Sequence, residues 1–118
     1  MTSTEIVKEW SKEKFNEVVR KYKDRIIIGD HTTDRLHEAQ RKATTEEEIR
    51  MLITRKNPEK VGIQANGRIA AFFREKTYFH KIILEEKEEG LEIITFINVS
   101  NPHNMVNENA RISSTKEW

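Results

Sequence analysis

The chain contains no cysteine, and its 118 residues include only two prolines and four glycines. Without cysteine there is no disulfide framework, no thiolate zinc site and no cysteine nucleophile. Secretion as a stapled scaffold is therefore not expected. The longest apolar runs are four or five residues, as in Ile69-Ala70-Ala71-Phe72-Phe73, far short of a bilayer span. The start, Met1-Thr2-Ser3-Thr4-Glu5, has no basic region followed by an apolar run, so no signal peptide is expected. Gly-rich phosphate loops and the G-x-S-x-G elbow are also missing. One soluble, cytoplasmic domain is the expectation at this length, with no membrane contact.

Charge is abundant and almost cancelled: 21 Lys and Arg face 20 Asp and Glu, a net +1. There is no global field to draw in nucleic acid, so such binding needs a local basic patch. Apolar residues are 36% of the chain and charged residues 35%, so much of every element must face water. Such a composition suits both the charged networks of a thermophile and a small domain keeping itself soluble.

Apolar residues Ile6, Val7, Trp10, Phe15, Val18, Val19 and Tyr22 recur at spacings of three and four and predict one amphipathic helix from Thr4 to about Lys23. Ser3 or Thr4 is its expected cap. Arg25-Ile26-Ile27-Ile28 reads as a short strand broken by Gly29-Asp30. Asp30 then caps a polar helix from Thr32 to about Lys42, and Thr44-Thr45-Glu46-Glu47-Glu48 opens another that stops before Asn57-Pro58. Beyond Pro58 the period changes to two. Asn66-Gly67 is a strong hairpin signal, and turns at Glu75-Lys76 and Lys87–Gly90 separate the later strands, the last being Leu91 to Val99. On that last strand Ile94, Phe96 and Asn98 are expected on one face, and Ile93, Thr95 and Ile97 on the other. The expected fold class is α+β, with N-terminal helices packed on one face of a four- to five-stranded, mainly antiparallel sheet. Residues 1–100 form this domain and 101–118 a polar C-terminal tail. Large residues on both sides of the strands, as at Phe72 and Phe73, suggest that the second sheet face is also covered, by a helix, the tail or a second copy.

Asp30-His31-Thr32-Thr33-Asp34-Arg35 is the most specific local feature. On a helix capped by Asp30, His31 and Arg35 share a face. Histidine exchanges a proton near neutral pH, and arginine grips phosphate with two parallel hydrogen bonds. The bland competitor is that His31 helps begin a helix while Arg35 pairs with Asp34 or Glu38. The acidic pattern Asp30 with Glu85-x-Lys87 could hold magnesium, but five charges at a hairpin tip are better explained as a solvated turn. His31, His37, His80 and His103 show no ligand spacing, so neither a metal nor another cofactor is expected.

The order of "IIIGDH", "HTTDRL", "TTEEEIRMLI" and "LEIITFINVS" resembles the RelE- and BrnT-like toxin domains of the barnase-, colicin- and RelE-like ribonuclease class, from Ile26 to about Ser100. The resemblance implies a RelE-like fold, an antitoxin-like partner, and metal-independent RNA cleavage by attack of a ribose 2′-hydroxyl. His31 would be acid or base, Arg35 the phosphate clamp, and Arg74 or Arg68 a second clamp, with His80 and Thr95 contributing from the sheet. Arg41, Lys42 and Arg68 would bind nucleic acid. The chain departs from the pattern at Thr32, where alanine is preferred, and at Glu38-Ala39-Gln40, which displaces Arg41.

The alternative is a non-catalytic nucleic-acid- or protein-binding module from a mobile element or virus. Its basis is the cluster Arg20, Lys21, Lys23 and Arg25 at the end of the first helix, with Arg35, Arg41, Lys42, Arg50, Arg55 and Lys56 recurring along the next two and Tyr22 and Tyr78 as stacking rings. RNA is the expected partner, DNA a second choice, and an antitoxin-like protein or a homodimer the protein alternatives.

Overall fold

A computed structural model of the chain describes residues 3–36 and 38–100. His37, His103 and the tail at 101–118 lie outside the described residues. The elements are β1 (Ile6–Trp10), α1 (Lys12–Lys21), β2 (Ile26–Ile28), α2 (Glu38–Ala43), α3 (Glu46–Arg55), β3 (Lys60–Gln64), β4 (Ile69–Arg74), β5 (Phe79–Glu86) and β6 (Leu91–Val99). They form one six-stranded sheet in the order β1-β3-β4-β5-β6-β2, in which β2 runs parallel to β6 and all other pairs are antiparallel. This corrects the expected fold class. The sheet is larger and mixed, and the chain enters through a strand rather than a helix.

The predicted first helix is wrong over its first half. Ser11 is the true cap, its hydroxyl accepting from the Lys14 amide at 3.1 Å, and only Lys12–Lys21 is helical. Upstream, β1 pairs with β3 through a register shift between Ile6 and Lys8. The extra residue of a bulge turns the later side chains to the opposite face. Ile6, opposite Gln64, thus joins one side of the sheet, and Trp10, opposite Val61, joins the other. In the sequence this change of face mimics a helical spacing.

The predicted helix at Thr32–Lys42 is also shorter than expected. Residues 29–36 form successive turns, with amides of Thr32, Asp34 and Leu36 donating to carbonyls three residues back. Thr32 holds this segment on the sheet. Its buried hydroxyl is shared between the carbonyls of Gly29 (2.9 Å) and Ile93 (2.8 Å), and its own carbonyl accepts from the Phe96 amide. Those β6 groups lie on the edge that β2 leaves open, since its pairing ends at Ile28 opposite Ile93. A threonine tied to a neighbouring strand cannot also begin a helix.

Other expectations hold. Thr45 and Glu48 make a reciprocal capping box on α3, Gly67 takes a φ of +89° in the β3–β4 hairpin, and β2 lies where the isoleucine run stands. Gly90 closes the β5–β6 turn against Arg25, whose carbonyl a Cβ at that position would strike.

α1 and α3 cover one face of the sheet. Phe15, Val19, Ile49 and Ile53 meet Ile69, Ala71, Phe73, Ile82, Leu84 and Ile93 in the main core. Burial of each large side chain there stabilises by about 1.5–3 kcal/mol. Phe15 and Phe73 meet edge to face, 6.0 Å between ring centres. Among the described residues, no helix is long and apolar enough to cross a membrane.

Candidate functional site

The capping box starts α3 above the sheet, and Ile49 and Ile53 fasten it down. Its other flank, with half-buried Leu52 and exposed Met51, does not close onto β5 and β6. A cleft of about 370 Å³ remains, lined by Glu48, Met51, Leu52, Arg55 and Lys56 from the helix and by Glu75, His80 and Phe96 from the sheet side.

His80 sits at the base of this cleft with 16% of its side chain exposed. It lies opposite Asn98 across the β5–β6 ladder. Its Nδ1 is 2.8 Å from Asn98 Oδ1, and its Nε2 is 3.3 Å from Glu75 Oε2. The ring packs against Phe96 at 4.7 Å and meets the edge of Tyr78 at 5.2 Å. Glu75 also receives Lys56 Nζ at 3.4 Å, so a polar chain runs Lys56–Glu75–His80–Asn98. A neutral imidazole donates from one nitrogen only. Both nitrogens are satisfied when the ring is protonated, or when the Asn98 amide turns to donate.

Beside the cleft runs a basic ridge. Arg55 lines the cleft and also a groove between α1 and α3, where Arg20, Lys23 and Lys56 stand. A third recess joins Arg55 to Lys23 and Arg50. Asn16 donates to Asn57 Oδ1 at 3.2 Å and ties α1 to the end of α3. Arg20, Lys23 and Arg55 have no ion-pair partner among the described residues. Arg50 is engaged differently, donating to the Ile26 carbonyl.

The other candidates are distributed around the molecule. His31 is 88% exposed in the turn after β2, and its Nδ1 meets Asp34 Oδ2 of the same turn at 2.7 Å. Because the helix does not begin at Thr32, His31 and Arg35 do not form the expected helical stripe. Arg35 instead lines a shallow recess with Leu36, Gln40, Ile97 and Asn98, so Asn98 borders both Arg35 and His80. Thr95 is paired with Ile83, and Arg74 lies over the Phe79 ring at 4.7 Å, with its Nε 3.5 Å from Glu59. Ile83 and Phe79 belong to the second face, so the sheet separates Thr95 and Arg74 from His80. Arg68 pairs with Glu85 at 3.1 Å, Arg41 is exposed on α2, and the side chain of Lys42 lies outside the described residues. Of the magnesium-type alternative, Glu85 is held by Arg68 and Lys87 by Glu92, and no group of three or more metal-ligating side chains occurs among the described residues.

Sequence reasoning missed Glu75, Asn98 and Phe96. Counting back from the Lys87–Gly90 turn, an unbroken ladder would set His80 opposite Ile97. The one-residue slip at Ile94 brings Asn98 there instead and puts Phe96 on the helix side. Comparison of the chain with protein-family models, with curated proteins and with solved structures finds no match.

Proposed function

We propose that this domain binds single-stranded RNA, with backbone phosphates along Arg20, Lys23, Arg55 and Lys56 and a base in the cleft beside His80. The observation that carries this reading is the position of Arg55. It is a cation with no ion-pair partner among the described residues, placed where a basic groove opens into a half-apolar cleft. Free cations along a groove attract phosphates independently of sequence, and an apolar recess with an aromatic floor accepts a base face. The cleft volume, about 370 Å³, falls within the range that small ligands occupy.

Binding is favoured over the cleavage that the toxin-like resemblance implies. Proton exchange with a ribose hydroxyl needs a ring nitrogen that reaches the ligand, and both nitrogens of His80 are engaged by protein groups. The resemblance rests on its short motifs.

Fluorescence anisotropy with a labelled single-stranded RNA tests the proposal. Affinity should fall steeply with salt, and Arg55→Ala should weaken binding and reduce the salt slope by about one. Absence of salt-sensitive binding, or binding that ignores Arg55→Ala combined with Arg20→Ala, overturns it. RNA cleavage in EDTA that His31→Ala and Arg35→Ala abolish would restore the toxin-like reading.

A further inference from the structure

The cleft beneath α3 holds one group that a phosphate-binding surface has no use for, the carboxylate of Glu75. This residue stands in the turn between β4 and β5, where its amide donates to the Tyr78 carbonyl at 2.8 Å. It lines the cleft with 27% of its side chain exposed. Beside Arg55 and Lys56, a negative charge opposes the approach of a phosphate chain unless it meets a different part of the ligand.

Most other polar groups around the cleft are satisfied within the protein. Glu48 Oε1 accepts from the amide and the hydroxyl of Thr45 in the capping box, and the Thr44 hydroxyl donates to the Gln40 carbonyl. His80 is engaged through both ring nitrogens. Glu75 is engaged by half. Lys56 Nζ and His80 Nε2 approach the same oxygen, Oε2, at 3.4 and 3.3 Å, and Oε1 has no partner among the described residues. Holding the lysine and the histidine in place accounts for one oxygen and leaves the second open. An ionised carboxylate only accepts, so the ligand group that answers it is an N–H donor.

We propose that the cleft selects guanine and that Glu75 is the residue that reads it. This rests on the RNA-binding reading above and names the base. Of the RNA bases only guanine sets two N–H donors side by side on its Watson–Crick edge, the ring N1–H and the N2 amine. A carboxylate accepts such a pair through two parallel hydrogen bonds. Guanine O6 lies next to N1–H and needs a donor of its own. Lys56 is 52% exposed and holds Oε2 at a long distance, so it can turn to O6 and leave Oε2 to N1–H. The order Lys56 Nζ, Oε2, Oε1 then matches the order O6, N1–H, N2–H. Adenine and cytosine instead place a ring-nitrogen lone pair beside their single amine, and uracil flanks its one N–H with two carbonyls. Each of these sets a lone pair against the carboxylate. Single-stranded bases are commonly read in this way, by hydrogen bonds to the Watson–Crick edge with a ring face against an aromatic side chain, which Phe96 supplies.

The test is fluorescence anisotropy of the full chain with labelled uridine oligonucleotides whose central residue is guanosine, adenosine, cytidine or uridine, at one salt concentration. The guanosine oligonucleotide should bind at least about tenfold more tightly than the others. Inosine at that position keeps O6 and N1–H and lacks the N2 amine; it should lose about threefold or more against guanosine, with the protein untouched. Glu75→Gln should bring all of the oligonucleotides to within about threefold of one another, while binding stays salt-sensitive. Equal affinities in the parent with salt-sensitive binding intact overturn the guanine assignment alone. Absence of salt-sensitive binding to every oligonucleotide overturns the RNA reading along with it. A guanine preference that survives Glu75→Gln, or an inosine oligonucleotide that binds as tightly as the guanosine one, overturns the role given to Glu75.

Discussion

His31 and His80 bear the same side chain and sit in different physical settings. His31 is 88% exposed and bonds a residue three positions away, whereas His80 is 16% exposed and bonds Asn98 and Glu75 from β6 and the preceding turn. The turn at 29–36 presents its charged groups to water and keeps only Thr32 and Leu36 buried. The cleft does the reverse, holding a titratable ring between partners that the sheet brings together. An ionisable side chain gains a role from the groups arranged around it, and a local motif supplies few of those.

The comparison can be broken most forcefully at the cleft floor. Phe96→Ala removes a buried ring shared by the core and His80, and should cost about 3–5 kcal/mol in denaturant unfolding. His80→Ala should cost about 1–3 kcal/mol, because Asn98 and Glu75 lose a partner in a half-buried place. Thr32→Val keeps the shape and deletes the hydroxyl shared by Gly29 and Ile93; a loss of about 1–2 kcal/mol would show that this threonine holds the turn. His31→Ala should stay within about 0.5 kcal/mol, and a larger loss would erase the distinction drawn between the two histidines.

The smallest effect concerns another exposed pair, Lys87 with Glu92. The hydrogen bond that Lys87 donates to Glu92 raises the Lys87 pKa above lysine's ordinary value against desolvation, and the charges of Glu92, Glu85 and Glu89 add to the rise. A raised native pKa stabilises the fold below the unfolded value of about 10.4 and ceases to do so as pH rises through the native value. Glu92→Gln should therefore cost a little stability at neutral pH, where the pair contributes in full, and flatten the alkaline part of the unfolding profile, so that the variant and the parent converge at high pH. A difference from the parent that persists undiminished at high pH would contradict this placement of the pair.

Much of the fold was legible wherever period and punctuation agreed. The β3–β4 hairpin, the capping box of α3, the isoleucine strand and the alternation of Ile69, Ala71 and Phe73 against Ala70 and Phe72 all follow from local signals. What escaped traces to two bulges and one tertiary hydrogen bond. The β1 bulge gave a strand a helix-like spacing, so Trp10 and Ile6 read as one stripe. The β6 bulge at Ile94 reversed the faces of everything after it, so Phe96 and Asn98 joined His80 while Thr95 went to the far side. Thr32 ended a predicted helix by bonding to a strand 61 positions away. Bulges and long-range bonds depend on a partner strand, and periodicity in one segment carries no record of it. Only His80, among the residues expected to be catalytic, was placed in the cleft.

The His80 cleft and the Arg55 ridge together make up the proposed RNA-contacting surface. It is tested most directly by titrating a short single-stranded RNA into the isotope-labelled full chain and reading side-chain NMR signals. The prediction is saturable shifts at His80, Arg55 and Lys56 with His31 and Arg68 unmoved. Shifts confined to the His31–Arg35 turn, or none at any of these positions, would contradict it.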